Sequence, residues 1–138
     1  MKFELRSFLF PLFLLAAVPS FGQPRLEDAE AIRHLIQRFA DFRNAHNGPA
    51  VAALYSEDGE YLARNGASTH GRQALADFWA GVLGRAERII ESTEFLSGNI
   101  AVARVAFTYP EYPGTHHESF VVVLEAGEWH IRLHQTVD

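Results

Sequence analysis

The chain has 138 residues, 48% of them apolar, with a net charge of −5 and no cysteine. That is enough for one domain with a real core and too little for two. The acidic balance argues against a nucleic-acid partner, and the missing thiols exclude disulfides, thiolate chemistry and zinc ribbons.

The first 22 residues read as a secretory signal peptide rather than as fold. Lys2 and Arg6 make a positive start, Phe8 to Val18 is an apolar run broken only by Pro11, and Ser20-Phe21-Gly22 offers small residues at a cleavage site. The run is short for a bilayer span. The expectation is a periplasmic or secreted protein, with residues 23–138 as one domain that has no membrane attachment after cleavage.

A helix is predicted from Leu26 to about His46, because Ile32, Leu35, Ile36, Phe39 and Phe42 recur at three- and four-residue steps. Asn47-Gly48-Pro49 breaks it and starts a short second helix, with Asn47 or Gly48 as cap and Val51, Leu54 and Tyr55 as its buried side. Ser56 to Gly59 reads as a turn, Glu60 to Ala63 as a brief strand and Arg64-Asn65-Gly66 as a loop. Gly71 opens a third helix carrying Leu75, Phe78, Trp79, Val82 and Leu83, closed by Gly84. The period then becomes two. Strands are predicted over 89–96, 100–109, 116–126 and 128–136, with Ser97-Gly98-Asn99 and Ala126-Gly127-Glu128 as tight turns. Helices followed by an antiparallel meander give the α+β class, with helices on one face of a curved sheet.

Alternation along the last strand sets Trp129, Ile131, Leu133 and Gln135 on one face and His130, Arg132 and His134 on the other. The apolar face is expected to point inwards, which makes Gln135 an internal polar group and leaves the other three outside. On the preceding strand, His116 and Glu118 share a face with Phe120, Val122 and Leu124. A His–Glu pair at the edge of an apolar cavity suits a base and its orienting partner, so His116 and Glu118 are the candidate catalytic residues. Phe39, Tyr61, Trp79 and Trp129 are candidate pocket walls, with Tyr55 as a further aromatic that could line the pocket or simply fill the core. Arg104 interrupts an apolar strand, and its neighbours leave open whether it reaches inwards to an anion or lies outside. No compact metal-ligand motif appears; a site would need distant histidines such as His34, His70 and His116 to converge.

This order of elements resembles the nuclear transport factor 2-like superfamily, and within it the SnoaL-like branch and a related bacterial branch without an assigned role. The resemblance rests on Phe39-Ala40-Asp41-Phe42-Arg43-Asn44-Ala45, Ala53-Leu54-Tyr55-Ser56-Glu57-Asp58-Gly59, Gly71-Arg72-Gln73-Ala74-Leu75 with Phe78-Trp79, and Gly127-Glu128-Trp129-His130-Ile131. It implies a cone: a bent sheet around a long helix, open at the wide end, often paired as a homodimer through the sheet's outer face. It does not imply one activity. The aspartate base and helix tyrosine of the ketosteroid isomerases fall at Ala63 and Phe39, neither of which moves a proton. Three functions stay open: a cofactor-independent binder of a small apolar molecule, a cofactor-free isomerase, cyclase or dehydratase with a His or Glu base, and a protein-interaction domain.

Overall fold

A computed structural model describes residues 26–138. The signal-peptide expectation for residues 1–22 lies outside the described residues. The elements are α1 (Leu26–Asn44), α2 (Gly48–Ala53), β1 (Tyr55–Leu62), β2 (Ser68–His70), α3 (Arg72–Gly81), β3 (Glu87–Ser97), β4 (Ile100–Tyr109), β5 (Tyr112–Glu125) and β6 (Glu128–Thr136). One six-stranded sheet runs β2-β1-β6-β5-β4-β3, antiparallel throughout except that β1 lies parallel to β6. The three helices cover its concave face, as the α+β cone requires.

Helix α1 follows the apolar period. Ile32, Leu35, Ile36 and Phe39 are buried along one stripe, and Arg43 continues that stripe by one more turn. Its neighbour Asn44 clamps the loop before β3 from both sides: Nδ2 donates to Ala86 O at 2.9 Å, and Ala86 N donates back to Oδ1 at 3.0 Å. Asn47 caps α2 by accepting from Ala50 N at 3.2 Å. The next residue, Gly48, is required by packing. A Cβ there would lie 1.9 Å from Ala76 O and 2.8 Å from Ala80 N, so α2 and α3 touch backbone to backbone.

Three local predictions need correction. Tyr55 to Gly59 belongs to β1, not to a helix end and a turn; the strand bulges between Tyr55 and Glu60, which explains its turn-like sequence. Strand β2 forms at Ser68–His70, where no element was predicted. Helix α3 stops at Gly81, because Val82 already has extended geometry. The turn at Gly127 uses a positive φ of 80°, whereas Gly98 is not among the positive-φ glycines.

The largest departure lies in β6. Val122 pairs with Ile131, but Val121 pairs with Leu133, so Arg132 is an extra residue in the ladder. A bulge of one residue inverts every later side chain. Trp129 and Ile131 face inwards as expected. Beyond the bulge His134 is fully buried and Gln135 is exposed, the reverse of strict alternation.

Candidate functional site

The inverted end of β6 brings His134 opposite Phe120 of β5, and the two rings stack at 4.1 Å with 9° between planes. Trp79 of α3 stacks on His134 at 5.6 Å, while Phe39 of α1 and Tyr61 of β1 approach it at 5.0 and 4.9 Å. An imidazole walled by four aromatic rings has lost its water, so its own polar atoms need protein partners.

They have them. His134 Nε2 lies 2.8 Å from Glu118 Oε2, and Nδ1 lies 3.2 Å from the Tyr55 hydroxyl. The other carboxylate oxygen of Glu118 accepts from Arg88 Nε at 2.6 Å. The result is one buried chain, Arg88–Glu118–His134–Tyr55, drawn from β3, β5, β6 and β1. Tyr55 is further fixed at its backbone: its carbonyl, exposed by the β1 bulge, accepts from Arg72 Nε and Nη2 at 3.1 and 2.9 Å.

Protonation follows from these contacts. Burial pushes the Glu118 carboxyl up, but the charge and hydrogen bond of His134, followed by those of Arg88, outweigh it and take the pKa to about 2. Burial pushes the His134 pKa down, against the pull of Glu118. We therefore assign a Glu118 carboxylate and a neutral His134 that donates from Nε2, which leaves Nδ1 to accept from Tyr55 O–H. Burial raises the Tyr55 pKa well above its ordinary value, so the phenol stays protonated.

A second cluster adjoins the chain. The Arg88 guanidinium stands over Phe39 and Phe107, at 5.1 and 5.3 Å, and that of Arg43 over Tyr109 at 5.8 Å. Phe107 and Tyr109 are themselves 5.7 Å apart. Arg43 Nη1 donates to Gly84 O at 2.8 Å, but Arg43 Nε and Arg88 Nη1 are buried with no hydrogen-bond partner. An unpaired buried donor on a charged group costs about 1–3 kcal/mol or more. Trp79 Nε1 also lacks a bond of normal geometry, although it lies close enough to Tyr55 to oppose the rise of that phenol's pKa.

The predicted site residues divide. Phe39, Tyr61 and Trp79 come together around His134. Trp129 does not; it packs on Phe95 at 6.1 Å and donates to Asp28 at 3.1 Å, beside the start of α1. Glu118 points inwards, but its partner is His134, not His116. His116 is half-buried against Phe107 and Tyr109, at 5.3 and 6.0 Å. Arg104 lies on the outer face, paired with Glu94 at 3.4 Å, because inward positions of β4 are the odd-numbered Ala101, Ala103, Val105 and Phe107. Gln135 is exposed beyond the bulge. Arg43, Arg88 and His134 were not proposed as site residues from sequence, and Tyr55 only as an aromatic of the pocket lining. Arg43 had a signal, since it falls four residues after Phe39 on the apolar stripe, and so did Arg88, two before the inward Ile90. Among the described residues no three His, Asp or Glu side chains are arranged to hold a metal ion.

A SnoaL-like domain profile matches residues 36–134, most of the chain and all four members of the buried relay. The protein belongs to the SnoaL-like domain family. Solved structures agree on the fold. A domain with a cystatin-like fold from Nostoc punctiforme is 23% identical, with a TM-score of 0.72 over 82% of this chain and 78% of that one. A ketosteroid isomerase-like protein from Erwinia carotovora atroseptica is 21% identical, with a TM-score of 0.70 over 82% of this chain and 97% of that one. An NTF2-like protein from Novosphingobium aromaticivorans is 23% identical, with a TM-score of 0.65 over 81% and 82%. No curated protein matches the sequence. The family is one of ligand-binding proteins and cofactor-free enzymes of the isomerase and dehydratase type.

Proposed function

We propose that this SnoaL-like domain is a cofactor-free proton-transfer enzyme acting on a small, mainly apolar carbonyl compound held among the aromatic rings of the cone. The observation that carries the reading is the carboxylate–imidazole–phenol chain. Glu118 fixes the His134 tautomer, so Nδ1 is the basic atom, and the Tyr55 phenol is a donor beside it. A substrate that parts Tyr55 from His134 meets a neutral base and a hydrogen-bond donor together. A proton passes from a carbon next to the carbonyl to Nδ1, and the charge moves to the carbonyl oxygen, which accepts from Tyr55 O–H. Return of the proton to another carbon completes an isomerisation; in a dehydration the proton held at His134 passes instead to the departing hydroxyl group, which leaves as water.

The test needs no knowledge of the natural substrate. The protein is incubated in deuterated water with a panel of cyclic enones and aryl ketones, and deuterium uptake is read by NMR. Catalysed exchange that disappears in folded Glu118→Gln supports the reading; no exchange above buffer with any compound removes it. A second reading, a binder without turnover, is favoured by the complete burial of His134 and Tyr55. It predicts a thermal shift with the same compounds and no exchange.

The wider setting is also proposed. The charged start, apolar run and small residues of 1–22 support export. Val102, Val121 and Leu133, in register across three strands of the outer face, offer an apolar stripe for a second copy of the chain.

A further inference from the structure

The relay accounts for one side of Arg88 and for nothing of Arg43. Both guanidinium groups are sealed among rings, with the Arg43 residue 2% exposed and the Arg88 side chain 5%. They stand over adjacent rings, Tyr109 and Phe107, and each keeps one buried N–H without a partner. The carboxylate that acts on this pair is Glu118, already shared with His134. Two cations thus face one anion in a desolvated place, and burial together with the charge of Arg88 makes the Arg43 cation less favourable. Structural roles leave this surplus unexplained, because the loop carbonyl that Arg43 holds at Gly84 would be served equally by a neutral donor.

There is also an approach from solvent. Between α1 and the edge strand β3 lies a cleft of about 270 Å³, walled by Ile36, Ala40 and Ile90, that reaches Arg88. It shares Arg33 and Ile90 with a shallower groove of about 650 Å³ towards the start of α1. None of the four rings around His134 lines this route to Arg88.

We propose that the ligand of the cone is a small organic carboxylate, its anionic group held by the Arg88–Arg43 pair and its apolar body lying against Phe39, Phe107 and Tyr109. The unpaired N–H groups become the donors to the carboxylate, and the second cation gains its counter-charge. This rests on the reading of the cone as a ligand site and adds the class of molecule it takes.

The experiment compares benzoate, its neutral analogue benzamide and inorganic sulfate by isothermal titration against the full chain. Benzoate is expected to bind at least about tenfold more tightly than benzamide, the range of a charge-assisted pair over a neutral contact. That preference should fall below about twofold in Arg43→Gln and be largely kept in Arg43→Lys, which restores the charge. Benzamide binding as tightly as benzoate to the unaltered protein would overturn the carboxylate subsite and leave the cone as a ligand site. Sulfate matching benzoate would reduce the pair to a site for simple anions and overturn the inference. Binding of none of the three would remove the subsite, and it would count against the cone reading as well. The comparison on the unaltered protein decides the matter even if the Arg43 variants do not fold.

Discussion

The two faces of the sheet use the same residue types to opposite ends. Inside, Arg88, Glu118, His134 and Tyr55 form a chain with almost no exposure. Outside, Arg104 pairs with Glu94, Arg132 with Asp58 at 3.4 Å, and His117 with Asp138 at 3.0 Å, all at side chains between about two-fifths and two-thirds exposed. Water screens the outer pairs and can replace either partner. The inner groups have only one another, so removing one strands the rest. A charged residue in this sheet therefore matters by its parity along the strand, not by its type.

The sharpest break of that contrast is Glu118→Ala. It leaves Arg88 and His134 buried without their shared acceptor, and we expect a loss of about 3–5 kcal/mol in urea unfolding, the range for half of a broken buried pair. A loss below about 1 kcal/mol would mean that water enters the cone and that the two faces are alike.

Acidification comes next. The folded His134 pKa lies below its ordinary 6.5, so the unfolded chain takes up that proton first; its contribution is complete above about pH 6.5 and is lost as pH falls below it. Glu118 titrates from 4.5 in the unfolded chain to about 2 in the folded one, so its contribution is present above about 4.5 and is lost as pH falls towards 2. Both act in the same direction. The melting temperature should fall in two stages between pH 7.5 and 3, and His134→Gln should lack the upper stage. A flat profile from pH 7.5 to 5 would show that His134 is not a buried neutral imidazole.

The smallest effect is expected outside. Arg104→Ala should change stability by less than about 1 kcal/mol, and less still in 1 M salt. A larger change in the same urea titration would point to a partner on the outer face.

Parity along the strands also decides what the sequence could reveal. Periodicity located the helices and the four long strands to within a few residues, because Ile32, Leu35, Ile36 and Phe39 leave little choice of face and β4 alternates without interruption. Glu118 was legible as an inward group for that reason. His134 and Gln135 were not, because one extra residue at Arg132 reverses the count, and nothing in Trp129-His130-Ile131-Arg132-Leu133 marks the bulge. His116 was paired with Glu118 on a true shared face, but the partner of Glu118 lies on the next strand, where His134 is two residues along β6 from Thr136, the residue that pairs with Glu118. In the folded sheet Glu118 takes its imidazole from β6 and its guanidinium from β3.

Gly48 bears on how the cone could open. Because its α-carbon lies against the backbone of α3, α2 and α3 cannot slide past one another, and Arg72 at the head of α3 grips the carbonyl of Tyr55 just past the end of α2. Helix α3 thus meets the buried imidazole in two ways: Trp79 stacks on its ring, and Arg72 holds the backbone of Tyr55, whose hydroxyl lies beside Nδ1. A change at α3 is therefore felt at the ring face and at Nδ1 of the imidazole at once, while the pairing of Tyr55 with Ile131 ties the phenol to the strand that carries His134.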